Sequence, residues 1–151
     1  MAKQQQAVSK RARVKARRNT VQALYQWLLT SKEAADILSE FELDAHTLAK
    51  TDVDYFKELF LGVIKNKTEL ETQFIDLLDR SLDDLDAIER AILLIGSYEL
   101  VHHIELPYRV VVNESIELAK TFGAEESHKY INGIMDRLAQ QLRSMEIKQS
   151  V

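Results

Sequence analysis

The chain has no cysteine, one proline and four glycines in 151 residues. Without cysteine there is no disulfide, no thiolate metal site and no cysteine nucleophile. So little proline and glycine argues against an all-β or loop-rich chain. No run of about eighteen apolar residues occurs, so nothing is expected to span a membrane. The N-terminus is basic but lacks the apolar core of a signal peptide. Its basic run also enters an apolar helical pattern directly, unlike a transit peptide. A soluble, cytoplasmic protein is expected. Enzyme signatures are missing too: no G-x-S-x-G, no phosphate-binding P-loop and no G-x-G-x-x-G. His46, His102, His103 and His128 have no metal-ligand spacing, since adjacent histidines on a helix diverge by about 100°. Neither catalysis nor a metal or other cofactor is expected.

What the chain does have is charge asymmetry. Its net charge is −4, yet residues 1–18 hold seven of its twenty basic residues and no acid. The remaining residues hold thirteen basic and twenty-four acidic side chains, a balance of −11. An acid-free basic arm on an acidic body points to a polyanion partner. The arm runs unbroken into a helix. Val21, Leu24, Tyr25 and Leu28 recur at i, i+3, i+4 and i+7, one face of an amphipathic helix. Lys10, Arg11, Arg13, Lys15, Arg17 and Arg18 run all round the same axis. Arg17 falls on the line of Val21, Leu24 and Leu28, where a core cannot accept an unpaired guanidinium. The helix is therefore expected to be anchored at Val21–Leu28, with its first turns projecting as an arm.

In chain order, Thr30 and Glu33 form a capping-box pattern before a helix burying Ala34, Ile37, Leu38 and Phe41. Thr51 and Asp54 open a long apolar series from Val53 to Leu78, bending, if anywhere, at Asn66–Thr68. Such a helix could be a spine for two bundles. Ser81–Asp86 is an acidic connector, with Asp83–Asp84 at its centre, and Asp86 and Glu89 form a further cap. Ala87–Ile95 is apolar on nearly every side and should be buried, with Gly96 and Ser97 admitting a close neighbour. Pro107 suits the start of a helix burying Val111, Ile116, Leu118 and Ala119. Gly123 is expected as its left-handed cap. The last helix, from about Glu125 to Leu142, turns Ile131, Ile134, Met135, Leu138 and Leu142 inward. The fold expected is all-α, about seven helices in two packed bundles. The arm is residues 1–18, and one helical domain covers 10–142, with sub-bundles near 14–80 and 81–142. Residues 143–151 are expected to fray. Tyr130 lies at the margin of the last helix's inward stripe, where it could pack in the core or stack on a base.

Several blocks together resemble the NusB family of bacterial transcription antitermination factors. They are N-T-V-Q-A-L-Y-Q-W after the basic run, D-V-D-Y-F-K-E-L-F-L-G-V, I-E-R-A-I-L-L-I-G-S-Y-E-L, and E-L-A-K-T-F-G-A-E-E-S-H-K-Y-I-N-G. The likeness covers about residues 10–140. It implies a non-enzymatic helical protein that binds boxA RNA of nascent transcripts, notably from ribosomal RNA operons, together with the small-subunit ribosomal protein NusE. That assembly joins other Nus factors on RNA polymerase and suppresses premature termination. The resemblance places RNA contacts at Arg11, Arg13, Lys15, Arg17, Arg18, Glu126, Lys129 and Tyr130, and NusE contacts at Tyr25, Asp83 and Glu89. Val14 interrupts the arm where the familiar pattern has arginine, Tyr130 stands for phenylalanine, and Glu126 for aspartate. Two other readings are the N-terminal part of ribosomal RNA cytosine methyltransferases, disfavoured by the absence of a cofactor-binding domain, and a homodimeric adaptor without RNA.

Overall fold

The structure is a computed structural model that describes residues 2–149, with side chains from Lys10 onward. Among the described residues there are eight α-helices, two short 3-10 helices and no strand. No helix among them is long and apolar enough to cross a membrane. The chain divides into two compact units, one ending at Lys65 and one beginning at Asn66. The boundary therefore lies well before residue 80. The cause is local: the apolar series expected as one helix is broken at Asn66, whose backbone (φ −108°, ψ 16°) leaves the helical region.

The first unit holds α1 (Ala2–Leu29), α2 (Ala34–Leu43) and α3 (Val53–Lys65), with α1 packed on both others. Its core is Val21, Ala23 and Leu24 from α1, Ile37 from α2, and Phe56, Leu59, Phe60 and Val63 from α3. Phe41, Phe56 and Phe60 form a run of rings at centroid spacings of 5.4 and 6.2 Å. Ala34, Leu38 and Phe41 are only partly covered. Thr30 does not cap α2. Its hydroxyl bonds back to the Gln26 carbonyl, and Glu33 precedes the helix with no side-chain cap. α3 is capped by Asp52 instead of Thr51, because Asp52 Oδ1 accepts from the Tyr55 N–H at 3.1 Å. The Thr51 hydroxyl is engaged by Asn19 Nδ2 of α1 at 3.1 Å.

The second unit holds α4 (Lys67–Phe74), 3-10 turns at Ile75–Leu77 and Leu82–Asp84, α5 (Ala87–His102), α6 (Tyr108–Phe122), α7 (Ser127–Leu142) and α8 (Ser144–Gln149). α5 is its centre, packed by α4, α6 and α7. Every residue from Ala91 to Leu100 is buried, as a helix apolar on all sides requires. Asp86 caps it, accepting from the N–H groups of Ile88 and Glu89. At Gly96 the close approach is real: an added Cβ would lie 2.5 Å from Met135 Cε and 2.9 Å from Ser115 Oγ. A buried carboxylate, Glu71, joins α4 to α5 by accepting from Arg90 Nε at 2.6 Å and Lys67 Nζ at 2.9 Å. Gly123 is not left-handed; its φ is −83° and its ψ 167°. It is glycine for space, because a Cβ there would sit 2.7 Å from both the Ala119 carbonyl oxygen and Ser127 Oγ. The left-handed residue is Glu126 (φ 78°), and it delays the start of α7 to Ser127.

The C-terminal segment through Gln149 is helical, contrary to the fraying expected from Arg143 onward; residues 150 and 151 lie outside the described residues. Arg143 explains the order. It is 4% exposed and sits at the C-terminus of α5, where the last carbonyls have no helical partner. Its Nε donates to Leu100 O at 2.9 Å, Nη1 to Leu106 O at 2.9 Å and Nη2 to His103 O at 3.0 Å. Glu146 of α8 completes the group, accepting from Arg143 Nη1 at 2.6 Å and from the Tyr108 N–H at 3.0 Å. That backbone N–H at the start of α6, and then Arg143, hold the Glu146 carboxyl below its ordinary range. Removing the guanidinium would strand several buried carbonyls together with the Glu146 charge. Arg143→Ala should therefore cost about 3 kcal/mol in urea unfolding. Arg143→Lys should recover little of it, because one ammonium cannot span the carbonyls that the planar fork reaches. Full stability in either variant would contradict this role.

Candidate nucleic-acid interface

The basic arm is a helix, not an extension, and the fold sorts its charges by face. Ala16 and Thr20 are wholly buried, and the Ala12 carbonyl accepts the Asp52 N–H at 3.0 Å. α1 is thus anchored a full turn or more before Val21. Arg13 and Arg17, four residues apart, turn toward α3. The Arg13 guanidinium lies 4.4 Å from the centroid of the Tyr55 ring, with Nε 3.8 Å from Asp52 Oδ2. Arg17 is 4% exposed, its guanidinium 5.7 Å from the same ring centroid. The expectation that Arg17 projects to a polyanion is overturned. The aromatic face of Tyr55 gives the cation a seat that an aliphatic core could not.

The other cations face outward. Lys10, Arg11, Lys15 and Arg18 line a shallow groove with Val14 between them. Arg11, Val14, Lys15 and Arg18 follow the i, i+3, i+4, i+7 spacing of one helix face. Arg11 and Arg18 are exposed and Lys15 half-buried. Val14, the interruption in the basic run, gives this face an apolar floor. Tyr25, further along α1, is 41% exposed.

In the second unit the start of α7 gathers the remaining residues. Tyr130 is half-buried, and its hydroxyl donates to Asp79 Oδ1 at 2.9 Å. Arg80 lies over the ring, its Cζ 4.6 Å from the centroid, and is paired with Asp79 through Nε at 2.7 Å and Nη2 at 3.2 Å. Arg80, and next the Tyr130 hydroxyl, pull the Asp79 carboxyl down to about 2. Partial burial, reinforced by the carboxylate, pushes the Tyr130 phenol up, so it stays a neutral donor. Lys129 and Glu126 pair with each other at 2.7 Å, both well exposed, an ion pair worth little in water.

Glu89 does not emerge at the surface as expected for a partner contact. It is 9% exposed, and its Oε2 accepts from the buried Ser127 hydroxyl at 2.8 Å. In the first turn of α5, Ala87, Ile88 and Arg90 are partly covered, and Glu89 is the residue turned inward. Glu89 sets the first residue of α7, and a carboxylate beside a helix N-terminus is well placed. Asp83, in the 3-10 turn, is exposed. Arg80, Asp86, Glu89, Glu126, Ser127 and Tyr130 line one cavity of about 290 Å³. Arg80, Asp79 and Ser127 escaped the sequence reading because no periodicity marks a residue that matters through a neighbour far along the chain. Among the described residues no three His, Asp or Glu side chains converge on a metal position.

Comparison with known proteins shows the family. The NusB family model matches residues 14–140. The chain is 50% identical over 135 residues to the transcription antitermination protein NusB of Alcanivorax borkumensis, covering 89% of each chain. To the protein of the same name from Marinomonas sp. it is 49% identical over 133 residues, covering 87% of this chain and 76% of that one. NusB of T. maritima superposes with a TM-score of 0.72 at 29% identity, over 84% of this chain and 89% of that one. A crystal structure of the antitermination factors NusB and NusE in complex with double-stranded RNA shares the fold, with a TM-score of 0.77 at 24% identity over 87% of this chain and 98% of the other. These names describe a transcription factor, not an enzyme. The chain belongs to the NusB family of transcription antitermination proteins.

Proposed function

We propose that this protein binds boxA-type RNA of nascent transcripts in the bacterial cytoplasm, together with the ribosomal protein NusE, and joins the Nus factors on RNA polymerase to suppress premature termination. The observation that carries the reading is the sorted helix α1. Two of its arginines are used internally, while Lys10, Arg11, Lys15 and Arg18 share one open face. Such a row neutralises a phosphate backbone, and phosphate contacts position RNA without reading its sequence. In the second unit Tyr130 offers a ring for base stacking, with Lys129 exposed beside it and Glu126 tempering that charge. NusE and RNA are the companions of the structural neighbour described above.

The salt dependence of binding tests this. If the four outer cations meet phosphate, log K for single-stranded boxA RNA should fall against log salt with a slope near about −3. Replacing Arg11, Lys15 and Arg18 together by glutamine should bring the slope to about −1, with the melting temperature unchanged. Substitution is the right probe, since truncation at residue 18 would also remove the buried Ala16 and Arg17. An unaltered slope in the triple variant would reject the outer face as the phosphate row.

NusE is proposed to contact Tyr25 and the exposed Asp83; as a ribosomal protein it is expected to be basic, so Asp83 would act by charge. Glu89 contributes by holding Ser127 and the first turn of α7. Tyr25→Ala should weaken NusE binding about tenfold in calorimetric titration, as for an exposed aromatic anchor, and leave the melting temperature in place. Glu89→Lys, in contrast, should lower the melting temperature, because it breaks a buried hydrogen bond. Normal NusE affinity in Tyr25→Ala would remove that residue from the interface.

A further inference from the structure

Tyr130 does not stand alone at the surface. One face of its ring is covered by the Arg80 guanidinium at 4.6 Å, and its hydroxyl is engaged by Asp79. Asp79 also takes the Nε–Nη2 edge of the Arg80 fork, at 2.7 and 3.2 Å. The three side chains therefore close on one another: the carboxylate fixes the guanidinium, the guanidinium covers the ring, and the hydroxyl steadies the carboxylate. All this is at the surface, with side-chain exposures of 42% for Arg80 and 63% for Asp79. Because Asp79 keeps its charge down to about pH 2, the pairing persists throughout the neutral range.

We propose that Asp79 and Arg80 form a displaceable cover on Tyr130, and that an RNA phosphate replaces Asp79 on the Arg80 guanidinium when a base takes its place on the ring. This rests on the reading of Tyr130 as an RNA contact. The chemistry of exchange is well matched: a guanidinium fork binds a carboxylate and a phosphate with the same two-pronged geometry. The magnitudes also permit it. An exposed ion pair shifts an equilibrium by no more than about fivefold, whereas a base stacked on an aromatic ring is worth about 5- to 150-fold. The cover thus yields to RNA, and it lowers affinity for ligands that offer a phosphate without a base, or a base without a phosphate. Arg80 becomes a phosphate contact, and Asp79 a residue that sets how much of the RNA must be recognised before the site opens.

A double-mutant cycle on the full chain tests the proposal, titrating single-stranded boxA RNA at several salt concentrations. Asp79→Asn should tighten binding about three- to fivefold. Arg80→Gln should weaken it and reduce the salt slope by about 0.7, one phosphate contact. In the double variant the gain from Asp79→Asn should vanish, because Asp79 acts through Arg80. A gain that persists undiminished without Arg80 would mean that Asp79 merely repels RNA, and would overturn the cover. An unchanged affinity and slope in Arg80→Gln would overturn it as well. Tyr130→Ala separates this failure from a deeper one. If Tyr130→Ala binds RNA normally, the reading of Tyr130 itself falls; if it binds weakly while Asp79→Asn changes nothing, only the cover falls.

Discussion

The face of the Tyr55 ring decides what α1 can do. A helix with cations on every side cannot both pack and bind a polyanion unless some of those cations are absorbed. Tyr55 absorbs two, seating Arg13 and Arg17 on α3 beside Asp52. The burial of Arg17 and the seating of Arg13 let α1 be anchored from Ala12 and Ala16 onward, instead of from Val21. The anchored turns then hold Lys10, Arg11, Lys15 and Arg18 in fixed register along one open groove. A row fixed in advance loses less conformational freedom on meeting phosphate than a flexible tail would.

The second unit also seats its buried charges on named partners. Its polar groups below the surface are assigned to other elements. Glu71 takes Arg90 and Lys67, Glu89 takes Ser127, and Arg143 takes the carbonyls ending α5. The first ties α4 to α5, and the other two lie at the start of α7 and the end of α5. The start of α7 carries the proposed RNA-contact residue Tyr130. Glu89 and Ser127 set it from within, the left-handed Glu126 sets it from without, and Tyr130 follows one turn later. The buried Glu89–Ser127 pair thereby places the half-buried Tyr130.

Much of the fold was legible in the sequence, because apolar periodicity reports burial directly. The central α5, the close approach at Gly96 and the inward stripe of α7 follow from spacing and residue size, whereas the apolar series from Val53 to Leu78 hid the break at Asn66. What failed was the reading of polar residues. Arg17 lies on the apolar line of α1, and charge alone pointed outward; the ring that accepts it lies 38 positions later, in α3. Glu89 looked like the exposed end of a buried helix, but its hydroxyl partner stands at position 127. The Thr30–Glu33 pattern matched a capping box, yet the Thr30 hydroxyl bonds back within α1. Arg143 followed the last strong apolar position and looked like the start of a tail. In each case the deciding partner is distant in sequence or is a backbone atom, and periodicity carries neither.

The division of α1 into a seated face and a free face is open to direct observation. Arginine side-chain Nε–H resonances report each guanidinium separately, so the full chain can be titrated with single-stranded boxA RNA and followed by nitrogen–proton NMR. The Arg11 and Arg18 signals should shift progressively with RNA. Those of Arg13 and Arg17 should remain in place, already protected from solvent exchange in the free protein. Shifts of equal size at all four, or exchange of Arg17 as fast as that of Arg18, would contradict it.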